Sequence, residues 1–137
     1  MSKAGFAVVM MFVFSGCQTV TPPNVAQMVD PPQAAVNAGA TFFALINQER
    51  SARGLRSLSA NAGLAAAARD HAQDMVSNNY FSHDGRNGSS FSQRARAAGY
   101  TCAAAENIAF GQTSEAEVMT EWMNSSGHRR NILLSDA

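Results

Sequence analysis

The chain has few charged residues and no cluster of positive charge. Charged residues make up 15% of its 137 positions, and Lys3 is its only lysine. Beyond residue 16 it carries nine arginines against ten acidic residues, with no basic run. Nucleic-acid binding depends on clustered Lys and Arg that neutralise phosphates. The composition therefore predicts a protein that does not bind nucleic acid.

The chain also lacks a hydrophobic run long enough to span a bilayer as a helix. Its main apolar run, Ala4 to Phe14, has eleven residues, whereas a membrane-spanning helix needs roughly twenty. Lys3 precedes the run, and the small residues Ser15 and Gly16 follow it. A positive start, a short apolar centre and a small-residue end are typical of a signal peptide. We therefore expect the protein to be exported.

Cysteine is scarce as well: Cys17 and Cys102 are the only two, which excludes a framework of several disulfides. The Phe14–Cys17 stretch resembles a bacterial lipobox, whose cysteine is diacylated and becomes the new N-terminus, although an aliphatic residue is usual in place of Phe14. We expect residues 1–17 to be a signal peptide with this lipobox-like end. An ordinary signal peptide or a buried core segment are the alternatives. With Cys17 lipidated, Cys102 has no partner, which favours a small buried thiol over a redox group.

These features predict where the protein resides. A lipid anchor at Cys17 would attach it to a membrane of the cell envelope, the outer membrane if the bacterium has one. With an ordinary signal peptide it would be secreted. Residues 18–40 are predicted to form a flexible linker, because Pro22-Pro23 and Pro31-Pro32 interrupt helices. The folded domain is expected to occupy residues 41–137.

Within the domain, four helices are predicted, each beginning at a residue type that caps helices. The caps are Thr41, Asn61, Ser90 and Ser114, and the helices end near Gly54, Ser77, Gly99 and Gly127. One more short helical turn is expected at His128 to Leu134. A single short strand is expected at Asn107 to Phe110, with Ala103 to Ala105 ahead of it. One strand cannot make a sheet, so either the fold is all-helical or further strands lie beyond Ala137.

Four short motifs occur in a fixed order along the second half of the chain. They are Phe81-Ser82-His83, Ala105-Glu106-Asn107-Ile108-Ala109, Trp122-Met123 and Ser126-Gly127-His128-Arg129-Arg130-Asn131-Ile132-Leu133. Together they resemble the CAP superfamily of cysteine-rich secretory proteins, antigen 5 and plant pathogenesis-related proteins, and within it the bacterial, cysteine-poor branch. The resemblance covers about residues 42–134. It implies an α/β fold, the CAP-type α-β-α sandwich with a central cleft. The two C-terminal strands usual in the family are not expected here.

The family's cleft is described by two histidines and two glutamates. By resemblance, His83 matches the first histidine, Glu106 the first glutamate and His128 the second histidine. The second glutamate falls at Ser125, which cannot supply a carboxylate. Glu121 lies close by in sequence but is not assigned to the cleft.

Two imidazoles and one carboxylate can form a three-ligand zinc site with open positions, so a divalent metal is expected at His83, Glu106 and His128. A lipid, through the resemblance, or a peptide are the other expected ligands. Each of the three residues could instead simply hold its own loop or strand.

The leading prediction is an exported, surface-attached binding module. The alternatives are a peptidase-like envelope hydrolase, with histidine as general base, and a purely structural envelope protein. The sequence does not decide whether the protein is an enzyme, because it has no Gly-x-Ser-x-Gly motif and no evident nucleophile. His71, close to the apolar side of the second helix, is expected to be a packed, hydrogen-bonded histidine outside the cleft.

Overall fold

A computed structural model describes residues 7–13 and 33–135, with side chains for 41–102 and 105–135. Its elements are β1 (Ala7–Val13), α1 (Gln33–Ser51), α2 (Ala62–Ser77), α3 (Phe91–Ala97), β2 (Ala103–Phe110), α4 (Glu115–Asn124) and α5 (Ser126–Ile132). The predicted α/β class is confirmed. No helix within these residues combines the length and hydropathy needed to cross a membrane.

Helix α2 has the predicted bounds. Its N-cap is Asn61, whose side-chain oxygen accepts a hydrogen bond from the backbone N–H of Leu64 at 3.1 Å, which satisfies one of the free donors of the first turn. Leu64, Ala68 and Met75 recur at helical spacing and are buried. The alanine-rich surface lets α2 approach the sheet closely, where it packs mainly against β1.

Helix α1 begins earlier than predicted, at Gln33 rather than after Thr41. Its first residues are rich in alanine, the best helix former, and they directly follow Pro31-Pro32, a pair that cannot continue a helix backwards. Residues 33–40 of the predicted linker are therefore helical. Residues 18–32 lie outside the described residues.

Caps also define the later helices. Ser90 and Gln93 form the predicted reciprocal capping box at α3, and the Ser114 side chain accepts from Glu117 N at α4. The predicted end of the fourth helix at Gly127 is wrong. Ser125 has extended backbone angles, φ −90° and ψ 123°, which separate α4 from α5.

The partner of strand β2 comes from the N-terminus. β1 pairs with β2 in antiparallel register, with Ala7 opposite Phe110 and Met11 opposite Glu106. The all-helical alternative is therefore wrong, because β1 and β2 form a two-stranded sheet. The predicted α/β fold without the family's C-terminal strands is confirmed. The pairing places residues 7–13 in the sheet, which favours the alternative of a core segment; the signal peptide stays a prediction.

Strand β2 has a hydrophobic cluster on each face. Ala105 and Ala109 join the main core with residues of α1, α4 and α5, namely Phe42, Ile46, Val118, Met119, Trp122 and Ile132. Ile108 packs against Ala68 and Met75 of α2. Alternate strand residues point to opposite faces of a sheet, so β2 lies between two layers of helix and carries Glu106 and Asn107 between them.

Two side chains were not anticipated in their observed roles. Cys102 is half-buried and disulfide-bonded, which corrects the expectation of a small buried thiol. Cys17 lies outside the described residues.

Arg50 is fully buried and donates to the carbonyls of Arg56 (2.7 Å), Ile132 (2.8 Å) and Leu134 (2.9 Å). Through these bonds α1 fixes the end of α5.

Candidate functional site

The site is centred on a hydrogen bond between two of the predicted residues. His83 Nδ1 lies 2.8 Å from Glu106 Oε1. Glu106 projects from β2 with only 1% of its side chain exposed, whereas the His83 side chain is 53% exposed. An ionised carboxylate only accepts hydrogen bonds, so Nδ1 carries the hydrogen. In the neutral form of this accessible ring, Nε2 is then the nitrogen without a hydrogen.

Arg94 of α3 completes this pair. Its Nη2 donates to Glu106 Oε2 at 2.8 Å and to the His83 carbonyl at 2.9 Å. Its Nη1 donates to the Ser89 carbonyl at 2.7 Å. Both oxygens of Glu106 are thereby engaged, one by His83 and the other by Arg94. No sequence signal pointed to Arg94, because arginine on a short helix is usually solvent-facing.

The loop that carries His83 is closed by its own backbone. Gly85 N donates to Ser89 O at 2.9 Å, and Gly88 N donates to Gly85 O at 2.8 Å. Gly88 has φ 79°, a conformation that glycine adopts without steric cost. Ser82 Oγ accepts from Asp84 N at 3.1 Å. These turns fix the backbone on both sides of the histidine.

His71 holds the loop that carries His83 by a hydrogen bond to the loop backbone. It is buried, and its Nε2 donates to the Ser82 carbonyl at 2.9 Å, which confirms the predicted packed histidine. Burial lowers the pKa of His71, and the positive charge of Arg94 lowers it further. The lowered pKa favours the neutral imidazole, which is bonded to the residue that precedes His83.

His128 reaches the site from α5. Its half-buried ring contacts Trp122 with centroids 5.9 Å apart, and its carbonyl accepts from Asn107 Nδ2 at 3.2 Å. Burial lowers the pKa of His128, and the charge of His83 lowers it further. The two histidines therefore lie within electrostatic range of each other, although they are 45 positions apart in sequence.

The predicted three-ligand arrangement is not assembled. Among the residues with described side chains, no group of three or more His, Cys, Asp or Glu could hold a metal ion. Glu106 is bound to Nδ1 of His83, the nitrogen that carries the hydrogen, and its other oxygen is bound to Arg94. The geometry makes Glu106 an orienting partner of His83 and leaves two imidazoles as the available donors.

The remaining candidates lie at the edges of the site. Ser125, at the position of the second glutamate, caps α5 without a side-chain cap hydrogen bond. Glu121 is exposed, and its Oε2 accepts from Gln112 Nε2 at 2.5 Å. Phe81 and Phe110 form an exposed ring pair with centroids 6.3 Å apart. Phe81 is two residues from His83 in sequence. This pair gives the site an apolar border.

Comparison with known proteins assigns the family. The sequence profile of the cysteine-rich secretory protein family, CAP, matches residues 43–137. The chain belongs to the CAP family. This CAP chain is similar to "Uncharacterized protein YkwD" of Bacillus subtilis (strain 168), with 43% identity over 90 residues, which is 65% of the chain and 35% of the relative.

A second relative is "Uncharacterized membrane protein YlbC" of Bacillus subtilis (strain 168). It is 36% identical over 93 residues, covering 67% of the chain and 27% of that protein. The CAP chain thus spans about a third or less of these relatives' lengths. No solved structure matches it.

Proposed function

We propose that this protein is an exported CAP-domain protein of the cell envelope whose cleft binds a divalent transition-metal ion through His83 and His128. One observation carries the proposal: His83 Nδ1 is hydrogen-bonded to Glu106 on an exposed ring, which directs Nε2 of the neutral imidazole to a ligand. Metal-binding histidines commonly donate their other N–H to a carboxylate, which fixes the tautomer and raises the basicity of the ligating nitrogen.

The donor set fits such an ion. Imidazole suits zinc, copper, iron and nickel, and two imidazoles leave coordination positions for water or for a ligand. A bound ion would supply Lewis acidity in the cleft. The chain's own residues contribute the rest: Glu106 orients His83, Asn107 holds the backbone of His128, and Phe81 offers an apolar contact to a lipid or peptide ligand.

Export and attachment rest on the N-terminus. The apolar run with Lys3 before it fits a signal peptide, and Cys17 fits the lipidated residue of a lipobox. One relative is named a membrane protein, which supports a location at the envelope. A lipid anchor at Cys17 would hold the CAP domain at the membrane surface. Cleavage before Cys17 would remove β1, so the mature domain would keep β2 without this partner strand.

An envelope hydrolase is the second candidate, and the same hydrogen bond supports it. A histidine oriented by a carboxylate can act as general base toward a water molecule. Ser82, the serine beside His83, has its hydroxyl bound to Asp84 N. Within the described residues no serine hydroxyl is hydrogen-bonded to His83, so this candidate uses water as the nucleophile.

Zinc titration of the full chain by calorimetry tests the metal proposal. His83→Ala and His128→Ala should each weaken zinc binding by about ten-fold or more, because each removes one of the two protein ligands. Arg129→Ala, an exposed residue beside His128, is the matched control and should bind like the parent. If both histidine variants bind zinc like the parent, the assignment is wrong and the cleft residues have a structural role.

A further inference from the structure

We propose that Arg94 is a positioning residue of the cleft, which sets the orientation of the His83 ring by binding that residue's main chain and its carboxylate partner at once. The proposal rests on the proposed function in so far as it concerns metal affinity. Its structural part, the control of the His83 ring, stands on the geometry alone.

The geometry is a two-point attachment. Nη2 has two hydrogens, and its two acceptors are the His83 carbonyl and Glu106 Oε2, at 2.9 and 2.8 Å. Glu106 Oε1 in turn receives His83 Nδ1–H at 2.8 Å. The backbone and the ring of the same histidine are therefore connected through one guanidinium and one carboxylate. A rotation of the ring away from Glu106 would break this closed set of bonds.

Burial strengthens the arrangement. The side chains of Arg94 and Glu106 are 12% and 1% exposed, so water competes little for their hydrogen bonds. Charge-assisted bonds of this kind are stronger than those between neutral groups. The exposed His83 ring is thus held by Glu106 and Arg94, two side chains that are largely shielded from water.

The bonds also require an arginine in particular. Arg94 reaches acceptors on three segments: the first part of the loop at His83, its last part at Ser89, and strand β2 at Glu106. A planar guanidinium presents donors in a fixed fork, whereas lysine has one nitrogen on a flexible stem. The capping box at Ser90 begins α3 so that Arg94 lies one turn later, above the loop.

The test measures the ring itself by histidine ¹⁵N NMR of the full, metal-free chain at mildly alkaline pH. In the parent, His83 should be the Nδ1–H tautomer. Arg94→Lys keeps the charge but loses the fork, and should give a mixture of tautomers. Arg96→Gln, an exposed arginine of the same helix, should match the parent. A merely structural role for Arg94 would change the melting temperature but not the tautomer.

Zinc affinity is the second measurement. Loss of an outer partner of a ligating histidine typically weakens metal binding by about ten-fold or more, so Arg94→Lys should bind zinc at least about ten-fold more weakly than Arg96→Gln. If the parent binds no zinc while Arg94→Lys still mixes the tautomers, the metal proposal fails and the role of Arg94 stands. A parent-like tautomer in Arg94→Lys overturns the role of Arg94.

A measurement on the parent covers the case in which Arg94→Lys does not fold. The Nη hydrogens of Arg94 should give separate, slowly exchanging signals, because each nitrogen is held by its acceptors. A single averaged guanidinium signal would overturn the proposal without any variant.

Discussion

Glu106 and Asn107 are consecutive residues of β2 that hold the two histidines of the cleft from separate sides. Glu106 binds the His83 ring, and the Asn107 side chain donates to the His128 carbonyl and accepts from Asn131 Nδ2 at 2.8 Å. The residue that orients the His83 ring is therefore directly bonded, along the chain, to the residue that holds the His128 backbone.

Asn107→Ala should destabilise the protein, because Asn107 is fully buried and its removal leaves the His128 carbonyl and the Asn131 amide without this partner. We expect a loss of about 1–3 kcal/mol in the free energy of unfolding, measured by urea denaturation. Zinc affinity should fall while the His83 tautomer is unchanged. Asn124→Ala, an exposed residue at the end of α4, is the control; equal effects from the two variants would contradict the role of Asn107.

Acid should destabilise the protein through His71. Its pKa is lowered in the folded state, chiefly by burial and then by Arg94, although Glu106 and Asp74 act in the opposite direction. The unfolded chain therefore binds more protons as pH falls through about 6.5, the ordinary histidine pKa, and stability is lost from there down to the lowered folded pKa.

The pH dependence is measured by denaturant unfolding between neutral and mildly acidic pH. His71→Gln retains a donor for the Ser82 carbonyl without a group that titrates, so its stability should fall less over this range. The burial-lowered pKa of His128 leaves a residual slope in the variant. An unchanged slope in His71→Gln would show that His71 does not contribute.

Arg50→Met should be among the most damaging single substitutions. It removes the donor to the carbonyls of Arg56, Ile132 and Leu134, of which the bond to Ile132 is buried. The expected cost is about 3 kcal/mol or more in unfolding free energy. Arg53→Met removes an exposed pair with Glu49 on the same helix and should cost under about 1 kcal/mol. Comparable thermal shifts for the two would refute the anchoring role of Arg50.

Much of the helical part could be predicted from the sequence, since caps and periodicity are local. Asn61, Ser90 and Ser114 begin helices as predicted. β1 could not be predicted, because a short apolar run serves as a signal segment or a buried strand equally well, and periodicity does not separate them. His83 and Glu106 were identified through the family motif, but their pairing depends on tertiary contacts.

Membrane attachment is testable at the cysteines. The sulfur of Cys17 can carry a lipid or a disulfide but not both, and Cys102 is disulfide-bonded in the structure. We expect the protein to fractionate with membranes and Cys17→Ser to release it, with Cys102→Ser as the control. Intact mass under non-reducing conditions identifies the lipid. A soluble, unlipidated protein with its cysteines oxidised would contradict the anchor.

We propose that His83, oriented by Glu106, and His128 bind a divalent metal. Histidine ¹⁵N NMR of the full chain during zinc addition tests it most directly. His83 Nε2 and a nitrogen of His128 should shift at one equivalent of zinc, while His83 Nδ1 stays protonated and His71 is unaffected. Unchanged His83 and His128 signals would contradict it.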